Sequence, residues 1–396
     1  MTLVSENHIS LLSPVSNNTT SHSDKLGFYK VGDKKFYNKT LALLENFRTK
    51  EDVHWIFNTK VYGSIDWTIP VETPIMELYK NRAQQLRDQY DYLVLYFSGG
   101  ADSTNALHAF IDNNIFIDEI IMHLPEAVKT SINSTDTSNL NYYSEVEYAA
   151  VAHLKKFENS VHPNTKISIN DFSKTGLELL NNEDWFDRSP LCLSISISGI
   201  LRQISQEYDG YHLSLQEKDK SIAYILGVDK PLVHFNGNNN NYSCYFMDTS
   251  TYHYISPVNF NKSKINNVFT EFFYWTPDMP EIVVKQAQLI KLNCESNPYA
   301  RFMASESLDR HISEYRTILH PIIYPDYVCE QFQTDKPSTH VMRPMDKWFW
   351  QTASKKVQGN YLSTIHYLKK NTDPKYMIKN SIENGISCSY GWLYKL

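Results

Sequence analysis

The sequence lacks any run of the about 20 apolar residues that a membrane helix needs. It also lacks a basic segment followed by an apolar core at its start, the pattern of a secretory signal. Cysteine is sparse and scattered, without a Cys-x-x-Cys pair or zinc-finger spacing; the 5 positions are Cys192, Cys244, Cys294, Cys329 and Cys388. An odd count at wide spacing favours reduced thiols. We therefore expect a soluble, cytoplasmic chain with no membrane partner.

Several nucleotide and metal motifs are missing as well. The sequence contains no GxxxxGK[ST], no GxGxxG and no HExxH, which argues against Walker-type, dinucleotide-binding and zinc-protease sites. A net charge of −6 argues against a general nucleic-acid coat protein, although a local basic groove for tRNA or DNA stays open. The 396 residues leave room for two or three domains around a sizeable core.

The most informative stretch begins with an apolar run at residues 92–97, which predicts a buried parallel strand. A short polar turn stops it: Ser98, Gly99, Gly100, Ala101, Asp102 and Ser103. A helical pattern follows over residues 103–113, with Ala106, Leu107, Phe110 and Ile111 at helix spacing. Strand, glycine turn and helix start together predict an anion site.

The chemistry of this turn favours a phosphate with a bridging cation. Two glycines let the backbone approach a phosphate, and the helix start favours negative charge. Ser98 and Ser103 add hydroxyl donors. Asp102 would repel a bare phosphate, so its presence indicates a bridging Mg²⁺. The alternative is an ordinary serine-glycine turn between a strand and a helix.

The five specified positions of this turn resemble the PP-loop, SGGxDS, of the ATP pyrophosphatases, which include asparagine, GMP and NAD synthetases, tRNA thiolation enzymes and phosphoadenylylsulfate reductase. The sequence around residues 90–94 and 227–231 is also similar to that of PP-loop proteins encoded by tailed bacteriophages. The resemblance implies ATP and Mg²⁺ as cofactors, with ATP and pyrophosphate held by residues 98–103 and Thr104. It also implies a host-cytoplasmic location if the chain is phage-encoded.

A second polar loop follows the apolar run at residues 221–228 and contains Asp229 and Lys230. Asp229 could bind Mg²⁺ beside Asp102, and Lys230 could neutralise charge on leaving pyrophosphate, so we expect Asp102 and Lys230 to be catalytic. An ordinary strand-ending turn is the alternative. The resemblance places adenine and ribose against Met122, His123, Leu124 and Gly227, although His123 itself favours a structural role.

The order of elements predicts an α/β protein with a doubly wound parallel sheet, because strands at residues 92–97, 115–124, 166–170 and 221–228 alternate with helices. The resemblance implies a HUP-like, adenine nucleotide alpha hydrolase-like fold. We divide the chain into a flexible arm at 1–25, an N-terminal lead-in and helix at 26–90, a PP-loop domain at 91–260 and a mostly helical region at 261–396.

The resemblance implies an adenylating enzyme of the asparagine-synthetase-like branch, which splits ATP to AMP and pyrophosphate to activate a substrate for amidation or related transfer. Thr2 follows Met1, so the cysteine nucleophile of a built-in glutaminase is missing and a separate protein could supply ammonia or sulfur. Sulfur chemistry of the sulfonucleotide-reductase kind and a non-catalytic nucleotide-binding role are the alternatives. The activated substrate, small molecule or nucleic acid, and a homo-oligomeric state stay open.

Overall fold

The computed structural model describes residues 24–131, 145–181, 218–248, 267–305 and 344–377, with shorter pieces at 197, 200–201, 214–215, 319, 321–324, 389 and 391–396. Its strands are β1 (Phe28–Val31), β2 (Lys34–Phe36), β3 (Val53–Ile56), β4 (Tyr92–Tyr96), β5 (Glu119–Leu124), β6 (Lys166–Asp171), β7 (Ile222–Leu226), β8 (Leu232–Asn236), β9 (Asn241–Tyr245), β10 (Val268–Phe272) and β11 (Tyr394–Lys395). Its α-helices are α1 (Lys39–Thr49), α2 (Thr59–Gly63), α3 (Ile75–Gln89), α4 (Ala101–Ile111), α5 (Glu126–Ser131), α6 (Val151–Lys156), α7 (Ser173–Leu179), α8 (Glu281–Ser296), α9 (Pro298–Ser305), α10 (Pro344–Thr352) and α11 (Lys355–Lys370).

A five-stranded, all-parallel sheet with the order β10-β7-β4-β5-β6 forms the centre of the molecule. All five residues of β7 are buried, as are the three central residues of β4. Apolar strands of this kind are typical of a sheet covered on both faces. The predicted α/β class with a parallel sheet is therefore confirmed.

The strand order runs outward from β4 in both directions, through β5 to β6 on one side and through β7 to β10 on the other. This is the pattern of a Rossmann-like fold, and the order reverses between β4 and β7. Ligands of such sheets bind beyond the carboxyl ends of the strands at that reversal. The topology therefore directs attention to the segments that follow β4 and β7.

One strand of the sheet was not predicted. β10 lies beyond residue 260, where we expected the mostly helical region to begin, and it pairs with β7 over its whole length. Its Glu271 is buried because Arg82 of α3 donates to its Oε2 at 2.8 Å and the Tyr90 hydroxyl hydrogen-bonds its Oε1. The apolar stripe that the sequence predicts for α3, formed by Met76, Tyr79, Ala83 and Leu86, leaves Arg82 mostly outside it, but this side chain is fully buried.

Two smaller antiparallel sheets flank the parallel one. β2-β1-β3 belongs to the lead-in. The hairpin of β8 and β9 pairs with β11, from residues 394–395, as a third strand. An aromatic cluster joins these parts, with Phe246 lying 4.9 Å from Phe57 and 5.0 Å from Trp275 between ring centroids. The lead-in thus packs on the main body through buried rings.

The apolar spacing of residues 145–157 predicts a further helix. In the structure this segment forms a π-helical turn (Glu145–Ala150) that continues into α6. The sequence pattern also predicts helices at 191–208 and 305–319 and a polar loop at 133–141. Apart from residues 197, 200–201, 305 and 319, these segments lie outside the described residues, as does nearly all of the arm at 1–25. Among the described helices, none is both long and apolar enough to cross a membrane.

Candidate functional site

The two polar loops predicted from the sequence meet at the reversal of strand order. β4 runs beside β7 from Tyr92↔Ile222 to Leu95↔Ile225, so the ends of both strands reach the same edge of the sheet. Residues 98–103 follow β4, and residues 227–230 follow β7. We refer to these two loops together as the switch-point site.

The first loop makes a tight turn in which position 99 accepts only glycine. Gly99 has a φ of +76°, and a Cβ atom at this position would lie 2.5 Å from the backbone nitrogen of Ala150. The Ser98 hydroxyl accepts from the Gly100 N–H at 3.3 Å, and the Ser103 hydroxyl donates to the Gly100 carbonyl at 3.1 Å. These contacts hold the turn in one shape against the π-helical turn.

The turn leads directly into α4, which begins at Ala101 with Gly100 as its N-cap residue. Gly100 has no side chain, and α4 accordingly starts without a side-chain cap. The first N–H groups of a helix have no partner within the helix and attract anions. Thr104 lies one turn in and its backbone N–H donates to the Gly100 carbonyl at 2.9 Å, so it belongs to the helix itself.

Lys230 joins the two loops through an ion cluster. Its Nζ donates to both oxygens of Asp102, at 2.7 and 2.6 Å, and to Oδ1 of Asp229 at 3.0 Å. The side chain of Lys230 is 9% exposed, whereas those of Asp102 and Asp229 are 26% and 25% exposed. The structure therefore brings together the three charged residues that the sequence assigned to catalysis and metal binding, and leaves both carboxylates reachable.

A third segment at the same edge supports the second loop. The backbone N–H groups of Tyr274 and Trp275, just after β10, both donate to the Val228 carbonyl at 3.0 Å. The peptide bond between Val228 and Asp229 is cis. Because this segment follows the unpredicted strand β10, its contribution to the site was not foreseen.

Two tyrosines that sequence reasoning missed hold Asp102. The Tyr324 hydroxyl donates to Oδ1 of Asp102 at 2.6 Å, and the Tyr274 hydroxyl donates to its backbone carbonyl at 2.8 Å. Burial, followed by the nearby charge of Asp102 for Tyr324, raises the pKa of both hydroxyls well above the usual value. Both hydroxyls stay protonated and act as donors. No local pattern marks either tyrosine, because their contact with Asp102 depends on the fold.

Gly227 serves the packing of the two loops. A Cβ atom here would lie 2.9 Å from the backbone nitrogen of Ser103 and 3.0 Å from the carbonyl carbon of Asp102. The end of β7 therefore approaches the first turn of α4 very closely. A glycine at a strand end often marks such an approach, and its predicted contact with adenine or ribose remains a prediction.

The predicted adenine segment ends β5, on the other side of β4. Met122 and Leu124 are buried, so their side chains belong to the core. His123 is half-buried, and its ring stacks on Tyr96 with 5.1 Å between centroids and 10° between planes. This geometry agrees with a structural role for the imidazole.

The donor set of the switch-point site fits Mg²⁺. This ion is usually held by one or two carboxylates together with waters and phosphate oxygens, and Asp102 and Asp229 supply two carboxylates that share one ammonium. Within the described ranges, no group of three or more His, Cys, Asp or Glu side chains is arranged to hold a metal. The remaining ligands would have to come from a bound phosphate or water.

The cysteines that the structure describes do not form a reactive site. Cys244 and Cys294 are buried free thiols, and burial raises the pKa of both, that of Cys294 to about 11. A thiol with a raised pKa is a weak nucleophile at neutral pH. Cys192, Cys329 and Cys388 lie outside the described residues.

These features define a class: an α/β protein with a Rossmann-like parallel sheet and a reachable ion cluster at its switch point. In comparisons with known proteins, no protein-family model matches the chain and no curated sequence matches it.

Proposed function

We propose that this protein is an ATP pyrophosphatase of the PP-loop type, which splits ATP to AMP and pyrophosphate in order to adenylate a substrate. The observation that carries the proposal is the pairing of Lys230 with Asp102 at the switch point, where a glycine turn enters α4. The strand order around β4 is consistent with a HUP-like, adenine nucleotide alpha hydrolase-like fold.

In this proposal the loop at 98–103 binds the β- and γ-phosphates. The first turn of α4 presents N–H groups to them, and the hydroxyls of Ser98 and Ser103 are close enough to share a hydrogen bond at 3.3 Å. Asp102 and Asp229 would hold Mg²⁺, which supplies charge neutralisation at the phosphates when bound. Gly227 and the backbone of residues 122–124 lie on either side of β4, where the adenosine would extend.

The chemical step follows from this placement. A substrate oxygen attacks the α-phosphorus, the bond between that phosphorus and the bridging oxygen to the β-phosphorus breaks, and pyrophosphate leaves with the bonding electrons. Lys230 can turn its ammonium toward the leaving group, because its stem is flexible and its partners lie at the open edge. Positioning and charge neutralisation would supply most of the rate. The adenylated substrate is then attacked by ammonia, an amine or sulfur, which releases AMP.

The test is the formation of AMP and pyrophosphate from α-labelled ATP and Mg²⁺, with and without candidate acceptors. We expect Asp102→Asn and Lys230→Met to lower AMP formation by about 100-fold or more, as expected when a group that meets developing charge is removed. AMP formation that is unchanged in Asp102→Asn would overturn the proposal. Binding of ATP without AMP from any acceptor would favour a non-catalytic nucleotide-binding protein.

The same two strands supply a matched control. At their opposite ends Lys220 donates to Asp91 at 3.0 Å, and both side chains are exposed. The pKa of Asp91 is lowered to about 2, chiefly by the Ser221 N–H and by Lys220. We expect Lys220→Met and Asp91→Asn to leave AMP formation at the wild-type rate, because this pair lies at the amino edge of the sheet.

A further inference from the structure

The ammonium of Lys230 is saturated by carboxylate oxygens. A lysine ammonium has three N–H donors, and its three acceptors here are Oδ1 and Oδ2 of Asp102 and Oδ1 of Asp229, at 2.7, 2.6 and 3.0 Å. A single cation therefore lies between two carboxylates from two different loops. This is the position that a divalent cation bridging Asp102 and Asp229 would take.

We propose that Lys230 is a built-in counter-ion that keeps divalent cations out of the switch-point site until phosphate oxygens draw its ammonium away. The inference rests on the proposed function for the identity of the phosphate ligand, but its first claim, that Lys230 competes with a metal, concerns this chain alone. It makes metal binding and nucleotide binding mutually dependent, with each raising the affinity for the other by the same factor.

The charges explain the competition. A divalent cation is strongly repelled by an ammonium at contact distance. The neutral hydroxyl of Tyr324 already donates to Asp102, so this carboxylate is oriented toward the cluster independently of Lys230. Once the ammonium leaves, two oriented carboxylates remain for a metal.

The exposure of the cluster explains how the exchange can take place. Asp102 and Asp229 are each about one quarter exposed, so ions reach their oxygens from solvent, and Lys230 follows Asp229 directly in the chain. Rotation of the long lysine stem moves the charge without moving either loop. A triphosphate at residues 98–103 would offer the ammonium new partners and would give the metal additional oxygen ligands.

The experiment measures Mn²⁺ binding without nucleotide, by electron paramagnetic resonance of the free ion. We expect Lys230→Met to bind Mn²⁺ about tenfold or more tightly than the wild type, because the repelling charge is gone. Lys230→Arg, which keeps the charge, and Lys220→Met, at the other edge, should both behave as the wild type does. Adding Asp229→Asn to Lys230→Met should abolish the gain.

Equal Mn²⁺ affinity in Lys230→Met and the wild type, with both folded by circular dichroism, would overturn the inference. Lys230→Gln repeats the test with a polar side chain in case the methionine variant does not fold. The result is separable from the proposed function. A gain in metal affinity in Lys230→Met, together with no AMP formation by the wild type, supports the counter-ion and contradicts the pyrophosphatase. AMP formation by the wild type, without the gain in Lys230→Met, does the reverse.

Discussion

Two clusters in this molecule are built from the same kinds of side chain, namely lysine, aspartate and a tyrosine hydroxyl, yet they differ in access to water. In the sealed cluster Lys39 pairs with Asp248, whose Oδ2 also accepts from the Tyr29 hydroxyl at 2.8 Å, and both charged side chains are 0% exposed. In the switch-point site the carboxylates paired with Lys230 are about one quarter exposed. The chemistry is shared, but only the second cluster can exchange partners with a ligand.

The sealed cluster joins three distant parts of the chain. Lys39 begins α1, Tyr29 lies in β1, and Asp248 follows the hairpin. The Ser389 N–H donates to Oδ1 of Asp248 at 2.9 Å, and the Asp248 N–H donates to the Ser389 carbonyl at 3.1 Å. A buried charge is costly unless it is paired. This cluster therefore contributes to the specificity of packing, whereas the switch-point cluster is suited to function.

The largest difference should appear when each lysine is replaced by methionine. Lys39→Met leaves the Asp248 carboxylate buried without its ammonium, and we expect it to lower the free energy of unfolding by about 3–5 kcal/mol. Lys230→Met leaves carboxylates that water can reach, and we expect a loss of only about 1 kcal/mol or less. Urea denaturation followed by circular dichroism measures both. Equal losses would show that the two clusters do not differ in the way that their exposure indicates.

Removing the tyrosine hydroxyl from each cluster should give a smaller difference in unfolding free energy, again with the larger loss in the sealed cluster. Tyr29→Phe takes a donor from a sealed carboxylate and should cost about 1.5–3 kcal/mol of unfolding free energy. Tyr324→Phe should cost about 0.5–1.5 kcal/mol, because Asp102 can bind water instead. Its main effect should fall on AMP formation, which we expect to decrease about tenfold as Asp102 loses its orientation. If Tyr324→Phe lowered stability alone, its positioning role would be wrong.

A backbone substitution tests how firmly the loop at 98–103 is held. Gly99→Ala combines a positive φ with a Cβ placed 2.5 Å from the Ala150 nitrogen, and we expect it to lower the free energy of unfolding by about 2 kcal/mol. Gly359→Ala is the control, since this helical glycine has open space around it and should gain about 0.5–1 kcal/mol. A neutral Gly99→Ala would mean that the loop adapts and is not held by α6 and its preceding turn.

The last comparison concerns pH. His153 of α6 lies behind the loop, with its Nε2 2.9 Å from Nε2 of His108 in α4, and burial, with the nearby charges of His108 and Lys156, lowers the pKa of His153 from 6.5 to about 4. Between these values the unfolded chain binds a proton that the folded chain refuses, so this residue's contribution to stability is complete above pH 6.5 and is lost as the pH falls toward 4.

We therefore expect the wild type to lose more unfolding free energy between pH 7 and 4.5 than His153→Gln does. His162→Gln is the control, because His162 is exposed and its ring lies against Phe116, away from α4. Its curve should run parallel to that of the wild type. Parallel curves for His153→Gln as well would show that the histidine pair does not make the loop region acid-sensitive.

Much of the central sheet was predictable because its signals are local. Residues 92–97, 166–170 and 221–228 are short strands bounded by turns, and β4, β6 and β7 fall within one to two residues of those limits. β10 was missed because Glu271 reads as a solvent-facing charge. Its burial depends on Arg82, which lies 189 positions earlier in the chain. Because the two partners are so far apart in the chain, a short window of sequence cannot reveal that they form an ion pair.

The candidate site was likewise predictable where its signals are local and was missed where it depends on distant contacts. Asp102, Asp229 and Lys230 were identified because each follows a strand, and the carboxyl ends of parallel strands share an edge. Tyr274 and Tyr324 were missed because a tyrosine among 27 carries no positional signal. Gly227 was assigned to the nucleotide, whereas the structure shows its close approach to the backbone of Asp102 and Ser103.

Local sequence is sufficient to predict that each polar loop follows a strand and that the first loop needs glycine for its tight turn, because backbone conformation and strand periodicity are local properties. Tertiary structure alone decided which lysine and aspartate became sealed and which stayed reachable. In the unfolded chain, Lys39 and Lys230 are chemically equivalent lysines. Packing removes water from one pair and leaves it beside the other, and the strength of an ion pair depends on that water.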